Sequence, residues 1–486
     1  MSNPTLFGNK NFPPVSSFRI FLILCLLGLI AYGHALSYPF VHDDRGFIVE
    51  NPQINQWGNL SSYFLQPSKL FQVSPISSSY YRPLLDILYK IEYFLFGKNP
   101  AGYHLVNIII HIFNSFFIYR IFCYILKRSL VPFILAVIFL IHPVKSGSVV
   151  IIVGISDLTY SFFCLLSFWL YVKKRYTFSL LAFLFAIFAK EQAIILPFLI
   201  CVYEIYLERT SHSLLKKGFL RLSGFFLILI AYVIFRKTIL GVSLPLLGDN
   251  MTELTLRLQS IPAVLLMNIK VLLFPFDIHF FRVTDILMPA ALHSWILLLV
   301  CILAAILIWK LPAQEKQAGL FGLGWFLILL LPTLNLVPLF MEYSYIWTPE
   351  HFLYLPMAGF FLFVILAMKH ILIKLRFREK KIAFFLILVL GCYLAITWKQ
   401  NSYFQSEIKL LQRAVDYEPR FGRLRAWLGN AYVGAGQFDR AIAEYQKALQ
   451  IMISYENKTN GPAREFYIQF VKELQIKIAA CGQSKK

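Results

Sequence analysis

Two adjacent acids, Asp43 and Asp44, stand in the stretch Val41-His42-Asp43-Asp44-Arg45-Gly46-Phe47-Ile48-Val49-Glu50-Asn51, just past an apolar run. A carboxylate at a membrane boundary is costly unless it is solvated, paired or used. A carboxylate held near a membrane surface is suited to take a proton from an attacking hydroxyl, since an ordinary Asp titrates near about 4 and is ionised at neutral pH. Two acids can also bind a divalent cation, but oxygen-ligand sites usually need more ligands than this pair supplies, which ranks a metal below a base. The plain alternative is that both acids cap a helix or sit in water. Other polar residues interrupt apolar runs further on: His142 to Asp157, Lys190-Glu191 and Glu350-His351.

The elements that must position these residues are membrane helices. The chain has 486 residues, 58% of them hydrophobic, with 47 Phe, only 15% charged and a mean hydropathy of +0.65. Several apolar runs approach or exceed bilayer-spanning length. The net charge of +21 comes from short basic clusters between those runs, as in Lys127-Arg128, Lys173-Lys174-Arg175 and Lys374 to Lys381. That is the punctuation of a membrane protein and excludes a nucleic-acid partner. Cys residues number 7; with no CxxC they form no disulfide framework or zinc site.

In chain order, a polar N-terminus (1–17, cytoplasmic) precedes a retained first span, Phe18 to Leu36. A long external loop over 37–102 follows and carries the acids. Within it, residues Leu84 to Phe96 alternate at helical spacing and predict an amphipathic helix on the membrane surface. Apolar runs from Tyr103 to Thr397 then predict an all-α polytopic bundle of about eleven to twelve spans, filling 18–398. The run Ile261 to Phe281, interrupted by Asn268, Lys270 and Pro275, reads as a re-entrant or interfacial segment rather than a crossing one. Demoting it puts the acid loop, His142 to Asp157, Lys190-Glu191 and Glu342 to His351 on one external face. From 399 to 486 the chain turns soluble and helical. Leu424 to Leu449 has the small and aromatic spacing of a tetratricopeptide helix pair, giving a clear repeat at 422–455.

The ordered motifs resemble a known family. They are Phe40-Val-His-Asp-Asp-x-x-x-Ile-x-x-Asn51, Tyr81-Arg82-Pro83-Leu84, Phe96-Gly97-x-Asn99-Pro100-x-Gly102-Tyr103-His104-Leu105-x-Asn107, His142-Pro143-Val144, Lys190-Glu191 and Glu350-His351-Phe352-Leu353-Tyr354-Leu355-Pro356. With the C-terminal repeat, these are similar to membrane O-mannosyltransferases bearing tetratricopeptide repeats and their bacterial relatives. The chain departs from them at His351-Phe352, where Arg-Tyr is usual, at Met357, where serine is usual, and in its short repeat array.

The resemblance implies a GT-C-fold glycosyltransferase moving a sugar, mannose being the candidate, from a polyprenyl-phosphate carrier to an acceptor hydroxyl with inversion. On that reading Asp43 is the general base and Asp44 an orienting or second acid. Arg82, Lys145, Lys190 and His351 would meet the carrier phosphate. Each has a structural alternative as a snorkelling or salt-bridged loop residue, Lys190 pairing with Glu191. His42, His104, His142, Asp157, Glu191 and Glu350 complete the cavity candidates. His104 and His111, seven residues apart with Asn107 and Asn114 alongside, form a stripe that reads better as helix–helix bonding. His142 reads as a turn residue, and Asp157 as an N-cap.

No cofactor is expected beyond the lower-ranked divalent cation. Expected partners are the lipid bilayer, the polyprenyl-phosphate donor, a protein or glycan acceptor and a protein bound by the repeats. The expected setting is a bacterial inner membrane, with site and C-terminus periplasmic. Two other classes compete: a non-enzymatic membrane tether for the repeats, and a transporter. A transporter would place charge near the midplane with internal symmetry, whereas these charges crowd one interface.

Overall fold

The computed structural model describes residues 16–68, 70, 80–206, 212–238, 251–285, 290–334, 345–457 and 462–483. The serines of 74–79 and part of the loop expected at Glu342 to His351 lie outside them. In order the helices are α1 (Ser17–Tyr32), α2 (Leu60–Leu65), α3 (Pro83–Phe96), α4 (Pro100–Leu126), α5 (Leu130–Ile141), α6 (Ser146–Val149), α7 (Ile155–Val172), α8 (Tyr176–Ala189) and α9 (Leu196–Tyr206). There follow α10 (His212–Thr238), α11 (Met251–Leu273), α12 (Ala290–Lys310), α13 (Ala313–Leu330), α14 (Pro356–Lys374), α15 (Glu379–Asn401), α16 (Glu407–Tyr417), α17 (Gly422–Gly434), α18 (Phe438–Glu456) and α19 (Pro462–Gln483). Strands β1 (Val283–Asp285) and β2 (Tyr345–Trp347) pair antiparallel, with Thr284 opposite Ile346.

Among the described residues, seven segments are long and apolar enough to cross a membrane: Ser17–Ser37, Pro100–Leu126, Ile152–Val172, Leu292–Lys310, Glu315–Thr333, Pro356–Lys374 and Glu379–Gln405. The bent pair Leu130–Ile141 and Pro143–Val149, turning by 50°, would make eight. The protein is therefore an all-α, multi-pass membrane protein. Counting apolar runs gave about eleven to twelve spans because several runs end early. At about 1.5 Å per residue, the 14 residues of α8 and 11 of α9 fall short of a hydrocarbon core of about 30 Å. The run expected to be broken at Ile261 to Phe281 is helical as far as Leu273. Asn268 and Lys270 lie inside α11, with Pro262, and Pro275 comes after its end.

The described chain forms two compact units. The first takes in Met1–Leu246, Trp295–Thr333 and His351–Asn401. At its centre α4 packs on α1, α5 and α7, while α7 lies along α8 and α13 along α14. Helix α4 starts where Asn99 accepts from the Ala101 N–H ahead of Pro100, and stops at Lys127 in a left-handed conformation. Helices α13 and α14 touch through backbone: a Cβ on Gly359 would lie 2.3 Å from the Gly322 carbonyl oxygen, and one on Gly322 would lie 2.7 Å from that of Gly359. Small residues permit such an approach between membrane helices, where packing rather than hydrophobicity holds them together.

Helix α3 forms where its periodicity predicts, with Pro83 in the first turn, but its polar side faces inward. Asp86, Lys90 and Glu92 are buried, whereas Phe94 and Leu95 are 78% and 61% exposed. An inward polar face with an apolar outer face is what a helix needs to lie against lipid while serving a polar interior.

The second unit takes in Leu247–Ser294, Leu334–Glu350 and Ser402–Lys486. The residues of the expected repeat form α17 and α18, stacked between α16 and α19. Close packing is possible because Gly429 leaves room for the Tyr445 ring, and Gly436, at φ +71°, turns the chain between the two helices. Phe281 and Trp347 join this core beside Phe421 and Trp427.

Substituting Gly359→Val should force α13 and α14 apart and cost about 1–3 kcal/mol or more. The measurement is thermal unfolding in lipid nanodiscs, where a marked drop in Tm is expected; an unchanged Tm would contradict the contact.

Candidate active site

The tip of the first loop is built around Asp44. This carboxylate has no solvent exposure. Its Oδ2 accepts the Val41 N–H at 3.2 Å and its Oδ1 accepts the Val153 N–H at 2.9 Å. It thus ties its own turn to the 3-10 turn Ile152–Gly154 that leads into α7. Burial pushes its pKa up to about 7, against the opposing pull of the N–H donors and with Asp43 adding a little.

Asp43 is the opposite case. Its side chain is 55% exposed, with the His42 ring at 3.6 Å as neighbour. His42 takes φ 51°, uncommon for a residue with a Cβ. The two acids therefore serve different ends: one is locked to the backbone, the other is open.

A chain of charges lies on elements next to this tip. Arg82, at the start of α3, donates from Nε (3.1 Å) and Nη2 (2.9 Å) to Glu191, and its guanidinium lies 4.3 Å from the Tyr80 ring centre. Arg236 of α10 reaches the other oxygen of Glu191 at 3.7 Å. Burial alone would raise Glu191, yet Arg82 and then Arg236 hold it below the usual carboxylate range. Lys190 donates to Asp157 at 2.5 Å, both side chains being buried. Burial lowers the Lys190 pKa, with Asp157 opposing. The pairing is thus crossed: Lys190 reaches back to Asp157 rather than to its neighbour Glu191, and Glu191 takes the arginines. Asp157 is not an N-cap either, since Gly154 holds that position and Asp157 sits in the first turn of α7. Three cations and two acids give the cluster a formal surplus of positive charge that a phosphate can meet.

The remaining candidates occupy other surroundings. Lys145 is fully buried; its ammonium donates to the Tyr354 carbonyl and lies 3.8 and 3.9 Å from the ring centres of Phe139 and Tyr354. His111 bonds the Tyr354 hydroxyl at 2.6 Å and the Leu140 carbonyl at 2.9 Å, while Asn114 donates to Tyr354 and Leu158. Asn107 donates to the Val149, Ile151 and Ile152 carbonyls, and His104 meets the Tyr38 carbonyl at 3.2 Å. The stripe on α4 thus bonds the neighbouring helices at Leu140, Val149 and Leu158 and also the connecting segments at Tyr38, Ile151, Ile152 and Tyr354. His142 caps the turn Pro143–Lys145 by accepting the Val144 N–H, with its ring on Phe361 and Tyr393. His351 is half-buried, its ring against Phe352. Glu350 belongs to the second unit, where it accepts from Arg282 at 3.2 Å and from the His279 N–H at 3.0 Å.

Sequence reasoning missed Arg236, which sits near the end of a long, partly basic helix and carries no signal of a site. It also missed Asp86, buried on α3, whose Oδ1 accepts the Ser68 hydroxyl at 2.5 Å and whose pKa burial pushes up to about 7. Its helical spacing was visible; which side faced inward was not.

The chain is 26% identical over 458 residues to a protein O-mannosyl-transferase of Caenorhabditis elegans, a match covering 90% of this chain and 63% of that protein. It is 23% identical over 521 residues to one of Drosophila melanogaster, covering 89% and 55%. It is 33% identical over 145 residues to a human one, covering 29% and 16%. The chain thus spans less than two thirds of the length of these relatives. No family model and no solved structure matches it.

The raised Asp44 pKa has a consequence for stability. Between about 4, where the unfolded carboxyl titrates, and about 7, the folded chain keeps a proton that the unfolded chain has lost. Stability from this group therefore falls as pH rises through that window, by up to ~1.4 kcal/mol per unit. Comparing the Tm of the native chain with that of Asp44→Asn from pH 5 to 8 should show the native chain losing ground up to about pH 7 and holding level above it. A difference independent of pH would contradict this.

Proposed function

We propose, from the premise that this chain is a relative of the protein O-mannosyl-transferases, that it is an integral-membrane glycosyltransferase. It moves a hexosyl group, mannosyl by analogy with the names of those relatives, from a polyprenyl-phosphate carrier to an acceptor hydroxyl, with inversion. A protein is the acceptor those names favour. The site and the C-terminal helices face the external side of the membrane, the periplasm if the host is bacterial. The first unit carries the reaction, and the helices α16 to α19 act as a short tetratricopeptide array that docks a protein partner.

The observation that carries this reading is the division of labour within the acid pair. Asp44 is buried and held by two backbone N–H groups, and Asp43, its neighbour on the same turn, is open to solvent. An open, oriented carboxylate is what an attacking hydroxyl requires: Asp43 takes its proton as the oxygen bonds to the anomeric carbon, and the bond from that carbon to the carrier phosphate breaks. The charge that develops on the phosphate is met by Arg82, with Arg236 and Lys190 adjoining it. Glu191 and Asp157 hold these cations in place before the lipid arrives, so that less ordering remains to be done on binding. Lys145, enclosed between two rings, acts instead as a structural cation.

The test is release of carrier phosphate by the native chain and by Asp43→Asn in nanodiscs containing a polyprenyl-phosphate hexose. Loss of a general base should lower turnover by about 10²–10⁴ with the Tm unchanged. Equal turnover in a folded variant would remove Asp43 from the mechanism, and a non-enzymatic tether would tolerate the substitution altogether.

A further inference from the structure

Further along the first loop is a cleft of about 180 Å³ with no part in the scheme above. Gln53, Gln56, Trp57, Tyr63, Asp86 and Lys90 line it. It is smaller than the roughly 300–1,000 Å³ of pockets that take drug-sized ligands, and is of the order of a single small ring. Its walls are held in place. The Lys90 ammonium donates to the carbonyls of Gln53 at 2.5 Å and Gln56 at 2.7 Å, folding the 53–56 turn onto α3. The Tyr63 hydroxyl accepts the Gly58 N–H at 3.1 Å, and the Asn59 side chain caps α2 at the Ser61 N–H. Against this frame the Trp57 indole stands 55% exposed.

The lining points to a chemistry. It offers the exposed Trp57 indole, the Tyr63 ring, which has the Lys90 ammonium 5.7 Å from its centre, the amides of Gln53 and Gln56, each donor and acceptor at once, and one carboxyl, Asp86. Its cation, Lys90, donates to two backbone carbonyls and is balanced by the Asp86 carboxyl of the same lining, so the cleft holds no surplus charge for an anion. A neutral ligand with an apolar face and a rim of hydroxyls satisfies all of these groups together: the face stacks on the indole, and the hydroxyls bond the amides. We infer that this cleft is a carbohydrate subsite that binds one neutral hexopyranose ring, separate from the site of transfer. It requires no catalysis by Asp43, and its test can fail or succeed apart from the transferase reading.

Saturation-transfer NMR with methyl α-D-mannopyranoside and methyl α-D-glucopyranoside, on the full chain in nanodiscs, decides the matter. The expected result is a transferred signal from at least one glycoside that weakens about tenfold in Trp57→Ala and persists in Trp57→Phe, which keeps an aromatic face. It should also persist in Asp43→Asn. No signal from the native chain would overturn the inference. So would an equal signal in Trp57→Ala, leaving the indole as an interfacial anchor only, or a signal lost in Asp43→Asn alone, which would place the sugar at the transfer site.

Discussion

A carboxyl group out of reach of water must collect hydrogen-bond donors, and Asp44 does so from two separate stretches of backbone. That requirement joins the first loop to the turn before α7. Around this joint the Asn107 amide holds three more carbonyls of the 149–152 segment, so hydrogen bonds link the loop tip, α4 and the approach to α7. Asp43 inherits its position from that arrangement without contributing to it. The exposed acid is placed by the buried one.

The same low-dielectric logic orders the charges nearby. A buried cation needs a counter-ion or carbonyl partners, and the structure uses both solutions. Lys190 has Asp157; Arg82 and Arg236 share Glu191; Lys145 has the Tyr354 carbonyl and two ring faces. At the far ends of the helices Glu315 plays an equivalent part, joining Arg128 at 3.2 Å with Lys369 and so tying the α4–α5 junction to α13 and α14. That second cluster binds helices together. The first has one more cation than acids and includes Arg82 of the acid loop, and it is this surplus that the proposed role toward a phosphate rests on.

Much of this was legible in the sequence, for reasons that can be traced to particular residues. Apolar runs marked α1, α4, α7 and α14, and helical spacing marked α3 from Leu84 to Phe96. The α4 stripe of His and Asn could be read as helix bonding because polar groups in apolar helices must find partners. Partner choice was less accessible. Lys190 and Glu191 are adjacent, yet an extended backbone at Lys190 sends their side chains to different partners, a geometry that no spacing rule encodes. Burial of Asp44 but not Asp43 depends on where Val153 arrives from a point 109 residues away. Glu350 shared a motif with His351, but the boundary between the two compact units falls between them. The span count exceeded the number of described helices that are both long and apolar enough, since α8 and α9 are short and α10 and α11 carry several charges.

The central claim is that one loop turn presents Asp43 to a reaction whose leaving phosphate is met by the cluster at Glu191. The most direct measurement is a cryo-electron microscopy structure of the full chain in nanodiscs with a polyprenyl monophosphate. The account predicts phosphate oxygens within about 3 Å of the Arg82 guanidinium or the Lys190 ammonium, with the Asp43 carboxylate facing the side from which an acceptor would approach. A phosphate bound away from both cations, or an Asp43 directed away from it, would contradict the account.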